Sequence, residues 1–491
     1  SISGYLAIAT VFTVLIITLF MEPITLPWHV NPAVKSLSFH KDWIPDLNTS
    51  FRLNIDGMSG WFLLITTLAA LTITLFLKFT DKPVNQYFSV LLCLTSANGV
   101  FMAKDMFTLI FAWGLWLIIP FTVKPRTTNL RQTPGYTKFF AFHLLSMMLI
   151  AAGFALFHFS AAKTAGVHNL EISAMAKYAI SEQNQRSILF LLFAGFAIRM
   201  PLFPLHGWLS DTLDEMPSGT SAIVVSTGLA TGTYALINFC LPLCTDVILQ
   251  MDRYFIFIAM VSMVYGSLVA LMNPHILQRL GFTCLAYSGF VLMGIFSLNS
   301  TSITGATLVA INFTLTIPVL LLCTGWIASK AESVLIQDLG GIWKQSPLVA
   351  GIFLVASMAS VGVPGLCLFP GVFLVVGGTL LSQPVWATIA MADFLILATG
   401  MLWMFQQIFT GSPKSTESKF EPYSDTTPGR ILIPVTALII WFGFFPQYTI
   451  RSIKDPVENI SQHIQSHRIF SIDESDKTDL KLLFQNNKPK R

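Results

Sequence analysis

The sequence has very little charge for its length. Only 11% of its 491 residues are Asp, Glu, Lys or Arg, whereas 54% are hydrophobic and the mean hydropathy is +0.67. A soluble globular domain carries about twice that share of charged residues, so that class is excluded and a lipid bilayer is expected as the surroundings. The net charge of +4 is small and spread over loops, and it predicts no nucleic-acid partner.

Paired cysteines and cofactor motifs are also missing. The cysteines lie singly in or beside apolar runs, as packing residues do, without the spacing of a metal site: Cys93, Cys240, Cys244, Cys284, Cys323 and Cys367. No nucleotide loop, flavin motif or pair of haem ligands occurs. We therefore expect no cofactor, no metal and no catalytic residue in this chain, and assign any redox reaction to partner chains.

Long apolar runs dominate what is there. A run of about 20 apolar residues spans the hydrocarbon core of a bilayer. Such runs predict an all-α polytopic membrane protein with about thirteen transmembrane helices, near residues 4–21, 59–80, 86–103, 106–123, 138–160, 187–205, 219–243, 254–273, 278–298, 302–328, 347–382, 386–411 and 430–449.

These spans suggest five regions along the chain. We expect an anchor helix and external loop at 1–58, N-terminal helices at 59–105, two repeat halves at 106–243 and 254–411, and a C-terminal helix with a polar tail at 430–491. The basic loop 124–137 is expected to face the cytoplasm, which puts the tail from Ile450 outside.

One arginine interrupts an apolar run just before two prolines. Arg199 is followed by Pro201 and Pro204. A charged side chain within the bilayer costs about 3 kcal/mol on insertion scales, and prolines this close cannot continue a helix. Broken backbone at membrane depth is tolerated only where protein or a water cavity covers it. The pattern indicates a discontinuous helix of the transporter type.

A second interruption lies in the longest apolar run. Residues 347–382 exceed one straight span and contain Pro364 and Pro370, each beside glycine. Two broken helices five spans apart predict two inverted five-helix repeats with the functional elements near mid-membrane. Unlike the first, the second break carries no charge.

Several motifs resemble the antiporter-like M subunit of proton-translocating NADH:quinone oxidoreductase, complex I. The resemblance covers nearly the whole chain and rests on segments 53–59, 100–107, 137–140 and above all 196–209, with further matches at Pro217, Ser221, 232–234, 289–291, 363–365 and 444–447. It implies fourteen spans, of which the first is expected to be absent here, and other membrane subunits as partners.

The resemblance also implies a chain of proton-relay residues that this sequence replaces. The family's glutamate in the fourth span corresponds to Gly114, and its lysine in the seventh span corresponds to Ala230. Its histidines in the ninth and tenth spans correspond to Tyr287 and to Asn312 or Phe313, and the glutamate of its second broken helix corresponds to Val372. The family lysine before the first break corresponds to Arg199, and this is the one relay position at which the chain keeps a charge. Lysine can release its proton when buried, whereas arginine stays charged. We therefore expect proton translocation through this chain to be impaired.

Alternatives remain open at this point. Arg199 is expected to pair with Asp211, Asp214 or a carboxylate of a neighbouring subunit, with ion handling as the alternative. His206 is expected to bond loop backbone, and it joins Arg199 and Tyr287 as a proton-path candidate. The chain fits a structural or coupling subunit of complex I, a cation/proton antiporter subunit, or a membrane subunit for inorganic carbon uptake. A bacterial cytoplasmic membrane is favoured over the mitochondrial inner membrane.

Overall fold

The computed structural model is a bundle of helices with one β-hairpin. It describes residues 2–20, 36–44, 49–80, 82–123, 134–165, 171–172, 180–411 and 427–486. Nine helices of this described part are long and apolar enough to cross a membrane, and three shorter apolar helices accompany them. The prediction of a nearly all-helical polytopic protein is therefore confirmed.

The described helices are numbered here along the chain. In chain order they are α1 (Ile2–Leu19), α2 (Gly57–Phe79), α3 (Val84–Met102), α4 (Met106–Thr122), α5 (Pro134–Ala165), α6 (Glu182–Arg199), α7 (Leu209–Glu215), α8 (Ser218–Leu243), α9 (Thr245–Met272), α10 (Ile276–Phe296), α11 (Ser300–Ala331), α12 (Ile342–Gln345), α13 (Pro347–Ser360), α14 (Leu368–Ser382), α15 (Pro384–Phe409), α16 (Thr427–Phe444) and α17 (Gln447–Asn486).

Each predicted span coincides with a helix, with two local differences. The span expected at 187–205 ends as a helix at Arg199, and that expected at 347–382 is divided between α13 and α14. The predicted orientation of the bundle depends on the basic residues Lys124, Arg126 and Arg131, which lie outside the described residues.

The buried centre of the bundle is α11. Its apolar stretch is 100% buried, and those of α8 and α10 are each 94% buried, whereas only 28% of the apolar stretch of α1 and 33% of those of α5 and α15 is buried. In α11, Thr314 donates a hydrogen bond from Oγ1 to the Ser226 carbonyl of α8 at 3.3 Å. The helices at the centre therefore join the two halves of the chain.

Two elements differ from the sequence prediction. The segment expected to be an external loop contains an antiparallel hairpin of β1 (Ser36–Ile44) and β2 (Thr49–Asp56), and Asp56 ends it by capping α2 through Ser59. The expected polar tail is mostly the helix α17, which buries Ile453, Val457 and Ile464. Apolar residues at helical spacing explain this packing.

Candidate functional site

The first break follows Arg199, where α6 ends. Pro201 and Pro204 lie in the turn between α6 and α7. Proline has no backbone N–H, so a turn rich in proline leaves helix carbonyls without donors. The Leu202 N–H bonds the Ala197 carbonyl at 3.0 Å, and Trp208 Nε1 donates to the Ile198 carbonyl at 2.9 Å. A tryptophan side chain thus replaces a missing backbone donor.

The Arg199 side chain lies between two indole rings. Arg199 is 0% exposed, and its guanidinium carbon lies 4.3 Å from the centroid of Trp113 and 3.8 Å from that of Trp116. One nitrogen, Nη2, donates to Ser96 Oγ at 2.8 Å. Nε and Nη1 have no hydrogen-bond partner among the described residues. The charge is therefore held mainly by the electron-rich faces of the rings.

The predicted ion pair of Arg199 is wrong. Asp211 pairs with Lys138, and Asp214 accepts a hydrogen bond from Gln278. Within the described chain, no Asp or Glu forms an ion pair with Arg199. Because Arg199 is fully buried by its own chain, the carboxylate of a neighbouring subunit has no surface from which to reach it.

The implied relay positions of the first half, Gly114 and Ala230, are small residues in α4 and α8. Gly114 lies between the two tryptophans in sequence, and a Cβ added there would come within 2.9 Å of Met147 Sδ. Ala230 is completely buried in α8. Two residues earlier, a Cβ added to Gly228 would meet the Arg199 carbonyl oxygen at 2.9 Å. Both implied relay positions of the first half are therefore part of close packing.

His143 belongs to the same aromatic cluster. Its ring lies 5.0 Å from Trp116, 4.1 Å from Phe139 and 4.6 Å from Trp208 between centroids. Its Nδ1 hydrogen-bonds the Phe139 carbonyl at 2.8 Å, whereas Nε2 has no partner in the described part of the chain. In the sequence, His143 is marked only by being a lone histidine in an apolar run.

His206 lies in the turn of the first break, partly exposed. Its ring stacks near Phe203 and Tyr265, with centroids 5.8 and 5.4 Å away. Among the described residues its Nδ1 has no hydrogen-bond partner, so this nitrogen does not make the backbone bond that was expected. Aromatic contacts hold the ring instead.

The second break separates α13 from α14. Pro364 lies between these helices, and Gly362 and Gly365 have φ angles of +69° and +89°, which favour glycine. Pro370 lies in the first turn of α14, where a backbone N–H is not needed for helical bonding. The prediction that Pro370 breaks the helix is therefore wrong.

Two implied relay positions contact backbone at this break. The Tyr287 hydroxyl donates to the carbonyl of Ser360, the last residue of α13. In a continuous helix that carbonyl would accept from the residue four positions later, which is Pro364 and has no N–H. Asn312 Nδ2 donates to the Cys367 carbonyl at 2.7 Å beside the start of α14. Tyr287 thus satisfies a carbonyl that the break leaves without its helical donor, and Asn312 ties α11 to the start of α14.

Two apolar positions complete the second site. The Phe313 ring packs on Tyr287 with centroids 4.8 Å apart. A Cβ added to Gly362 would lie 3.7 Å from Val372 Cγ2, so Val372 faces the break. Polar and apolar residues thus fill the break from both sides.

Sequence reasoning overlooked two buried charged side chains. Asp393 in α15 is 3% exposed, and Arg279 in α10 is 2% exposed. Arg279 donates to the Leu271 carbonyl and to Gln407 Oε1, the latter at 3.4 Å. Either could have been found as a charge within or beside an apolar run, which is a signal of function by default.

The geometry supports helix closure and charge burial rather than a metal centre. Within the described ranges, no group of three or more His, Cys, Asp or Glu side chains is placed to hold a metal ion.

A sequence profile described as "NADH:quinone oxidoreductase/Mrp antiporter, TM" matches residues 103–407.

Full-length relatives and solved structures agree with this profile. NADH-ubiquinone oxidoreductase chain 4 of Marchantia polymorpha is 25% identical over 429 residues, covering 86% of this chain and 84% of that protein. NADH-quinone oxidoreductase subunit M of Rhodobacter capsulatus is 26% identical over 455 residues, covering 90% and 88%.

The fold is shared with subunits of two kinds of membrane complex. A chain of respiratory complex I from Thermus thermophilus with bound NADH superposes with a TM-score of 0.82 at 21% identity, covering 94% of this chain and 95% of that one. A chain of the Mrp complex from Dietzia sp. DQ12-45-1b gives 0.80 at 17% identity, covering 94% of each. The resemblance to antiporter-like M subunits is thus confirmed, and the chain belongs to the NADH:quinone oxidoreductase/Mrp antiporter membrane protein family.

Proposed function

We propose that this chain is an antiporter-like membrane subunit of a complex I-type NADH:quinone oxidoreductase, with a structural or coupling role and impaired proton translocation of its own. Its partners are the other membrane subunits, and its location is a bacterial cytoplasmic membrane. The family match and the M-type and chain 4 relatives support the parent complex.

The surroundings of Arg199 carry the proposal of impaired translocation. A relay group must take up and release a proton, and a guanidinium stays protonated in proteins. Trp113 and Trp116 cover the charge, and Met147 Sδ occupies the space beside Gly114 into which a family carboxylate would extend. A cation that cannot titrate and has no carboxylate partner in the described part of the chain is suited to a fixed charge, not to proton transfer.

The second half supports the same conclusion. Tyr287 and Asn312 each donate to a backbone carbonyl at the break, and Val372 is apolar. A side chain that holds freed backbone in place has a structural task whose loss would expose an unpaired polar group. These positions therefore serve the broken helix rather than a proton path.

The two halves repeat one packing pattern. In the first half α3 packs against α4 and α8, and in the second α9 packs against α10 and α15. The broken helix is the fourth member of each unit when the first unit starts with α3. We therefore place the beginning of the first repeat at Val84 instead of residue 106.

Two other assignments compete. A cation/proton antiporter subunit is supported by the shared fold with the Mrp complex, but the absence of a family lysine and glutamate at Arg199 and Gly114 speaks against it. A membrane subunit for inorganic carbon uptake would act beside a large zinc-bearing partner. The partner chains distinguish the three assignments.

The parent complex is tested by isolating the tagged full chain in mild detergent and identifying the chains that accompany it. We expect iron–sulfur and flavin subunits together with other membrane subunits. Recovery of antiporter subunits alone, or of a large zinc protein, would replace the proposal by the corresponding alternative.

Impaired translocation is tested in the parent complex reconstituted into vesicles. His206→Phe and Tyr287→Phe remove the titrating or donating group and keep an aromatic ring. We expect the protons released per electron pair to stay at the wild-type value in both variants. A lower ratio in complexes that assemble fully and oxidise NADH normally would show that this chain conducts protons.

A further inference from the structure

A single carboxylic acid is buried in the apolar helix α15. Asp393 lies nine residues after the start of α15, about 14 Å along its axis, and is 3% exposed. The family relay positions do not include it. An ionisable residue inside a membrane span requires a partner or a function.

Its contacts supply only one partner. Ser267 Oγ of α9 donates to Asp393 Oδ2 at 2.7 Å. The other oxygen, Oδ1, is buried without a hydrogen-bond partner among the described residues. An isolated carboxylate in such surroundings is strongly disfavoured relative to the neutral acid.

Among the residues that the structure describes, no neighbouring charge compensates for an ionised Asp393. Arg279 of α10 reaches α15 at Gln407, fourteen residues further on. The helices α13 and α14, which also pack against α15, contain no titratable side chain. In the described part of the chain, none of the remaining titratable side chains on the packed elements forms a hydrogen bond or an ion pair with Asp393: Asp246, Asp252, Arg253, Tyr254 and Tyr265 on α9, Cys284 and Tyr287 on α10, Lys344 on α12 and Asp338 just before it.

We propose that Asp393 is a proton-binding site of the second half, with Ser267 as the positioning donor. The proton is bound at Oδ1 and exchanged with water, while Ser267 donates to Oδ2. A metal cation would need several further ligands, and within the described ranges no group of three or more His, Cys, Asp or Glu side chains could hold one.

The site lies beside the second break. Phe394, the next residue, packs against Tyr287 and Phe290 with ring centroids 6.1 and 4.7 Å apart. Tyr287 in turn holds the Ser360 carbonyl at the break. A change in charge at Asp393 would therefore act on helices that contact the broken segment. Asp393 is thus a protonatable group outside the relay positions that the resemblance implies.

The experiment measures the protonation of this side chain directly. The full chain is reconstituted in lipid, and infrared difference spectra between pH values follow the carbonyl stretch of a neutral carboxylic acid. Asp393→Asn removes the acid and nearly preserves its shape. Asp252→Asn, a change on α9 near the opposite end from Ser267, is the matched control.

We expect one component of the carboxylic acid band to titrate with pH in the wild type and in Asp252→Asn and to be missing in Asp393→Asn. Ser267→Ala removes a donor to the ionised form, so it should keep the band and raise its midpoint by about one pH unit. This variant also decides the question if Asp393→Asn does not fold.

Two results would overturn the proposal. One is a set of spectra in which no titrating band depends on Asp393 and no band changes its midpoint pH in Ser267→Ala. The other is loss of the band on adding sodium at constant pH, which would make the site one for a metal cation. Neither readout depends on the parent complex, so failure here is distinct from failure of the proposed function.

Discussion

Replacing Tyr287 with phenylalanine removes one hydroxyl and leaves the ring that packs against Phe313. The lost group is the donor to the Ser360 carbonyl, and Pro364 cannot take its place because proline has no N–H. Leaving a buried acceptor unpaired costs about 1–3 kcal/mol, whereas interhelical hydrogen bonds in membranes average about 0.6 and reach about 1.7 kcal/mol. We therefore expect the free energy of unfolding to fall by about 1–2 kcal/mol.

The measurement is the free energy of unfolding of the full chain in mixed micelles, titrated with a denaturing detergent. Tyr254→Phe is the control, since Tyr254 is 66% exposed on α9. It should differ from the wild type by less than about 0.5 kcal/mol. If Tyr287→Phe were as stable as this control, the hydroxyl would not be supporting the break, and the structural reading of the second site would be refuted.

Three further predictions follow from the same packing. Arg199→Leu strands no carboxylate, so the complex should still assemble, as judged by native electrophoresis; loss of assembly would require an anionic partner. Trp208→Phe removes the donor at the first break and should cost about 1–3 kcal/mol of unfolding free energy in the same micelle titration, and an unchanged value would contradict this role. Gly57→Ala brings a Cβ to 2.1 Å from the Ser452 carbonyl, so α17 should become more accessible to protease, whereas Gly351→Ala, with nothing within 4 Å, should not change cleavage; equal cleavage of both variants would rule out this close contact.

The sequence by itself determined the class of the protein and the places where its helices run. Apolar runs of membrane length are a local property, and the thirteen expected spans fall on helices, with an early end in the span at 187–205 and a division in two in the span at 347–382. The breaks at Pro201 and Pro364 were also predictable, because proline acts on its own backbone. Pro370 shows the limit of that rule, since its effect depends on whether it falls within a helix or in its first turn.

Tertiary structure alone decided what the polar residues do. A formal charge at Arg199 predicted a carboxylate partner, but chain folding brought two indole rings to it and engaged both candidate aspartates elsewhere. Likewise, Tyr287 and Asn312 lie far in sequence from the carbonyls they satisfy. Composition and proline spacing act over a few residues, whereas the partner of a buried polar group depends on contacts between distant helices, which no local pattern encodes.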